Sequence, residues 1–174
     1  MKKGIIIYMS KYGSTKQYAD WLSEDTYFKA VDANDPEVLV DLKNAEMVIF
    51  GGWFRAGKPT IASWIKKHWP DIQGKKVILY STGGSMPEEQ ERQRGFVAAF
   101  PDESMRNIIH YFPVGGRVDI SRAKFFDRLV LKIVMMVKFK DPEERKRRME
   151  GVQDHVNRKY LDPILKAIKE LWEK

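Results

Sequence analysis

Hydrophobic residues in this chain fall into short, nearly continuous runs, separated by longer stretches in which they recur every three or four positions. Gly4 to Met9 is apolar throughout rather than alternating, the mark of a strand buried on both faces. Ser14 to Glu24 sets Tyr18, Ala19 and Leu22 at helical spacing and predicts the first helix. Further strands are predicted at Thr26–Val31, Glu46–Gly51, Lys76–Ser81 and His110–Val118. Between them lie a short helix from Asp35-Pro36 to about Leu42, a helix over Thr60–Trp69 and another over Pro101–Ile109. Asp162-Pro163 opens a last helix, whose Ile164, Leu165, Ile168, Leu171 and Trp172 form one apolar stripe. Alternation of strand and helix predicts an α/β doubly wound parallel sheet with helices on both faces. No internal repeat or linker interrupts it, so residues 1–174 are read as a single domain.

Three loops follow the carboxyl ends of predicted strands, the edge where open α/β sheets bind ligands. They are Ser10-Lys11-Tyr12-Gly13-Ser14-Thr15, Gly51-Gly52-Trp53-Phe54-Arg55-Ala56-Gly57 and Ser81-Thr82-Gly83-Gly84-Ser85. The first opens a helix, whose unpaired N–H groups and dipole suit a phosphate. Paired small residues in the others allow close backbone approach, and Trp53 and Phe54 offer flat faces to a ring. Any one of these loops also reads as an ordinary strand-to-helix turn. Three on one edge point to a planar, phosphate-bearing cofactor. Gly52 to Lys58 has the spacing of a nucleotide P-loop, but Pro59 stands where that motif needs a hydroxyl for the metal, and the reading fails there.

Charge changes the picture of the partners. A net charge of +7 and a pI near 9.5 favour an anionic one: nucleic acid, a membrane surface or an acidic small molecule. No nucleic-acid recognition motif supports the first, so no nucleic-acid partner is expected. The absence of cysteine excludes disulfides, thiolate nucleophiles and Cys-ligated metals. His68, His110 and His155 lack ligand spacing, and no metal is expected. The opening apolar run is too short for a signal peptide, so the expected location is cytoplasmic.

Lys124 to Phe139 is long, apolar and punctuated by its own charges. At about 100° per residue, Lys124, Asp127, Arg128, Lys132 and Lys138 share an arc of roughly 140°. The remaining arc of roughly 220°, which includes Leu129, Ile133, Met136 and Val137, is nearly all apolar. That is wider than the stripe of about 100° that a surface helix needs, in a segment too short and charged to span a bilayer. The excess packs into a homodimer or under the next helix, or else meets a membrane or an apolar substrate with the basic residues facing headgroups or carboxylates. Asp141-Pro142-Glu143-Glu144 starts another helix, followed by the solvated charge run Arg145 to Arg148.

Ile6 to Leu22, IIYMSKYGSTKQYADWL, resembles the flavodoxin signature: apolar strand, aromatic, Ser, Gly, Thr, then Ala and Leu on the helix. The resemblance implies a flavodoxin-like fold, five parallel strands in the order 2-1-3-4-5, with FMN as cofactor. It further implies that Ser10, Tyr12, Gly13, Ser14 and Thr15 hold the phosphate. Trp53, Phe54, Arg55, Ala56 and Gly57 would lie along the isoalloxazine, and Thr82, Gly83, Gly84 and Ser85 would close its other side. The third loop lacks the stacking aromatic of many flavodoxins, which leaves one flavin face open. Phe126-Asp127-Arg128-Leu-Val-Leu-Lys132, in a helical insertion over residues 122–158, is similar to the bacterial quinone-linked protoporphyrinogen oxidases. That similarity implies an anionic porphyrinogen substrate, a quinone acceptor and peripheral contact with the inner face of the cell membrane. In this reading Arg55 polarises the flavin or meets a substrate carboxylate, while Arg122, Lys124 and Arg128 meet propionates. The competing reading is a flavodoxin-type electron carrier without a small-molecule substrate, and the basic charge argues against its usual docking mode.

Overall fold

The computed structural model describes residues 3–83, 89–119 and 152–173 and, between 120 and 151, positions 129, 133, 136, 137, 140–143 and 145. Five strands build the main sheet: β1 (Gly4–Tyr8), β2 (Lys29–Asp32), β3 (Met47–Arg55), β5 (Lys76–Gly83) and β6 (Ile109–Gly115). They run parallel in the order β2-β1-β3-β5-β6, and a two-residue strand β4 (Lys58–Pro59) pairs antiparallel with β3. Among the parallel strands this is the flavodoxin-like order expected, with the direction of winding reversing between β1 and β3.

Two cores explain the continuous apolar runs. Ile5, Ile7, Val48, Phe50, Val77 and Leu79 face one side of the sheet, while Ile6, Met47, Ile49, Ile78 and Tyr80 face the other. Because both sides are covered, successive residues of each central strand are apolar rather than alternate ones. The helices α2 (Val38–Asn44), α3 (Ala62–Lys67), α4 (Trp69–Ile72) and α5 (Glu89–Ala99) contribute to the first core. The second takes α1 (Ser14–Thr26) and, past a 3-10 turn at Arg158–Leu161, the last helix α7 (Asp162–Glu173), after the short α6 (Glu103–Ile108).

Several boundaries differ from the sequence reading. Helix α1 runs to Thr26 and displaces the start of β2 to Lys29, because the chain turns at Tyr27, in the left-handed region at φ 60°. The helix expected over Thr60–Trp69 splits at His68, since Pro70 has no N–H to continue the ladder. Both β3 and β5 continue into residues read as loops, β3 to Arg55 and β5 to Gly83. Helix α5 was not expected at all: its apolar residues Phe96 and Ala99 occupy only its last turns, and polar residues fill the rest.

After β6 the chain adds β7 (Arg117–Asp119), antiparallel to β8 (Val152–Asp154), with Arg117 opposite Asp154 and Asp119 opposite Val152. Residues 152–154, inside the insertion read as helical, are therefore strand. Most of that insertion, including Arg122, Lys124 and Arg128, lies outside the described residues. Leu129, Ile133, Met136 and Val137 are helical and exposed by 48 to 80%. Among the described residues no helix is long and apolar enough to cross a membrane.

Candidate functional site

The three glycine-bearing segments converge at the carboxyl ends of β1, β3 and β5. At the first, Met9 N–H donates to the Gly51 carbonyl at 2.9 Å, so the turn leaves β1 while still bonded to β3. Gly13 takes φ 87°, which an L side chain resists, and swings the chain into α1. The first helical bond is donated by Gln17 N–H to the Gly13 carbonyl at 2.9 Å, and Lys16 N–H reaches the Ser10 hydroxyl at 3.3 Å. The N–H groups of Tyr12, Gly13, Ser14 and Thr15 find no acceptor among the described residues. Four unpaired donors at the positive end of a thirteen-residue helix, with the Ser10, Ser14 and Thr15 hydroxyls beside them, form a cradle for a phosphate.

A buried tie holds this cradle to the third segment. The Thr15 and Thr82 hydroxyls lie 3.0 Å apart, and the Tyr80 hydroxyl donates to the Thr15 carbonyl at 2.8 Å. Tyr80 is fully buried, which pushes its phenol well above the usual value and keeps it a donor. Gly51 makes room for it: a Cβ there would run into the Tyr80 hydroxyl. The sequence showed Tyr80 only as a strand residue, and nothing in the spacing marked it as the link between the first and third segments.

The second segment is a β-hairpin rather than a loop. Phe54 pairs with Pro59 and Arg55 with Lys58, around a two-residue turn in which Ala56 and Gly57 have φ 49° and 78°. Trp53 is fixed through its backbone: Thr60 N–H donates to its carbonyl at 2.9 Å, and its N–H donates to the Thr60 hydroxyl at 3.2 Å. Its side chain is half-buried, and Arg55 is exposed. Phe54 turns to the opposite side of the strand from Trp53 and packs against Arg92 and Gly95 of α5, so it stands behind the hairpin.

At the third segment, Ser81 and Thr82 are buried and Gly83 ends β5, while Gly84 and Ser85 lie outside the described residues. The stem of the insertion rests on this end. Gly116 N–H donates to the Gly83 carbonyl at 2.7 Å, and Arg117 pairs with Asp154 at 2.7 Å and reaches the Gln17 carboxamide of α1 at 3.5 Å. Together these groups suit FMN: unpaired N–H donors at a helix N-terminus could take its phosphate, a half-buried indole at the end of β3 its ring, and the small residues that end β5 allow close approach. Among the described residues no cluster of His, Asp or Glu forms a metal site.

A family model described as "Flavodoxin domain" matches residues 5–145 of the chain. None of the curated proteins matches it. Among solved structures, the Trp repressor binding protein from Bacillus subtilis aligns with a TM-score of 0.50 at 11% identity, covering 66% of this chain and 83% of that one. A flavoprotein in complex with FMN from Lactobacillus acidophilus aligns at 0.45 and 14% identity, over 66% of this chain and 93% of that one. The two-electron reduced flavodoxin of Megasphaera elsdenii aligns at 0.49 and 16% identity, over 64% and 83%.

Proposed function

Because the chain belongs to the flavodoxin-domain family and FMN is its cofactor, we propose that it is an oxidoreductase that oxidises protoporphyrinogen IX and delivers the electrons to a quinone. Bound FMN supplies the electron-accepting ring; the chain supplies placement and charge. The N–H groups of Tyr12 to Thr15, with the Ser10, Ser14 and Thr15 hydroxyls, hold the phosphate. Trp53 and the hairpin residues Arg55, Ala56 and Gly57 flank the ring on one side, with Phe54 supporting them from behind. Thr82, Gly83, Gly84 and Ser85 close the other side. Arg55 meets a substrate carboxylate at the hairpin tip, and Arg122, Lys124 and Arg128 meet propionates.

The observation that carries this reading beyond a simple carrier is the exposed row Leu129, Ile133, Met136 and Val137. At about 100° per residue these four fall within an arc of roughly 100° on a helix. They belong to the insertion whose stem bonds to Gly83 and reaches Gln17, at two sides of the cofactor crevice. An apolar acceptor or bilayer surface fits this row, and it seats the chain peripherally on the inner face of the membrane. The +7 charge suits both anionic headgroups and a dicarboxylate substrate.

Anaerobic mixing of the FMN-loaded protein with protoporphyrinogen IX tests the proposal. The oxidised-flavin absorbance should bleach while porphyrin fluorescence rises, and a quinone should restore it. Flavin that stays oxidised would refute the enzyme reading and leave an electron carrier. Protein that is dimeric in solution through the 124–139 segment, with no affinity for anionic vesicles, would refute the membrane contact.

A further inference from the structure

Arg92 is 4% exposed, and its guanidinium sits at the ligand edge of the sheet rather than on the protein surface. One nitrogen donates to the Ser81 carbonyl at 3.4 Å and to the Ser81 hydroxyl at 3.3 Å. The Ser81 hydroxyl in turn lies 2.7 Å from the Tyr111 hydroxyl. The central carbon lies 4.4 Å from the centre of the Phe54 ring, and the other nitrogen fills the space that a side chain at Gly83 would take. None of the ion pairs among the described residues includes Arg92.

A guanidinium stays charged at neutral pH even when buried, and burying it is costly; the field of the neighbouring Glu91 carboxylate favours its charged form. The packing of Phe54 against it and the glycine at position 83 show a place made for the group. Its neighbours are the second and third cofactor segments themselves, so its charge lies directly behind the crevice. In a water-poor layer that field is screened far less than at a surface. Uptake of two electrons and one proton leaves the flavin ring with one more negative charge, whereas a second proton would neutralise it. A fixed cation nearby favours the charged product.

We infer that Arg92 is a positioning charge that sets the redox balance of the bound cofactor, strengthening the hold on reduced, anionic FMN relative to oxidised FMN. The inference rests on FMN binding and is independent of which substrate or acceptor the protein uses. A high two-electron potential suits a protein that gathers electrons from an organic substrate, the opposite of a low-potential carrier.

The test compares FMN-loaded wild type with R92K, R92Q and S81D. Two-electron midpoint potentials are measured by anaerobic equilibration with a reference dye, and oxidised-FMN affinity by fluorescence quenching. R92Q keeps a donor toward Ser81 but drops the charge. S81D leaves Arg92 intact and sets a carboxylate beside it, so it reads the same charge should R92Q fail to fold. Each should weaken reduced-FMN binding about tenfold relative to oxidised FMN, which lowers a two-electron midpoint by about 30 mV. R92K, which keeps the charge, should stay near the wild-type potential. Unchanged potentials in R92Q and S81D, with only a lower melting temperature, would reduce Arg92 to a packing residue and overturn the inference. Wild-type protein that binds no FMN would overturn it together with its premise, while a normal result alongside failed porphyrinogen turnover would leave it standing.

Discussion

The hydroxyl pair of Thr15 and Thr82 joins the first and third cofactor segments, and replacing Thr15 with valine separates its two roles. Both hydroxyls are buried and lie 3.0 Å apart. Thr15→Val keeps the shape and removes one hydroxyl, which costs the net worth of a hydrogen bond, about 1 kcal/mol, and strands the Thr82 hydroxyl at about 1–3 kcal/mol more if no water reaches it. A loss of about 2 kcal/mol in the cofactor-free protein corresponds to a melting temperature lower by about 4–8 °C for a domain of this size. T82V strands the Thr15 hydroxyl and should cost a similar amount, whereas the double variant T15V/T82V removes both polar groups and should be close to wild type in stability, a coupling of about 4 kcal/mol. FMN affinity should behave differently. If Thr15 donates to the phosphate, its loss removes a hydrogen bond to a charged group, about 1.5–3 kcal/mol, or about 10- to 150-fold in Kd, and T82V does not restore it. Urea unfolding of the four cofactor-free proteins and FMN titration of each give both quantities. Stability losses that simply add to within about 0.5 kcal/mol would refute the pairing, and a T15V protein with wild-type FMN affinity would refute the phosphate role.

Two further outcomes are expected. The Tyr18 phenol is buried, which pushes its pKa up to about 12, although the hydrogen bond its oxygen accepts from the Asn157 N–H pulls the other way. The unfolded chain ionises near pH 10, so the folded state holds the proton harder: this contribution is complete below about pH 10 and is lost as pH rises toward the folded value. Urea midpoints should therefore fall more steeply above about pH 10 in wild type than in Tyr18→Phe, and parallel curves would contradict the burial argument. Replacing residues 120–151 with an Asn-Gly turn between Asp119 and Val152 should leave FMN affinity within about threefold, because that turn suits a two-residue hairpin closing the paired stem. The same deletion should abolish quinone-dependent reoxidation and vesicle binding; full retention of both would remove the insertion from the proposed function.

Much of this protein was legible in its sequence, for a local reason. Continuous runs such as Gly4–Tyr8 and the core of β3 mark parallel strands because such strands are covered on both faces, and each residue reports that burial for itself. The first segment was legible too, since Ser10, Gly13, Ser14 and Thr15 meet the backbone demands of a strand-to-helix turn within a few residues. Where strand gave way to loop at β3 and β5 was not: Gly52 to Arg55 and Thr82 to Gly83 read as turns, and pairing with neighbouring strands, β4 included, keeps them extended. Only the tertiary structure decided that Tyr80 would tie Thr15 across the sheet, that Phe54 would turn away from Trp53, and that Arg92 would lie buried behind both. Those contacts join residues 38 to 65 positions apart, and a charged residue in a polar stretch carries no local sign that packing will strip away its water.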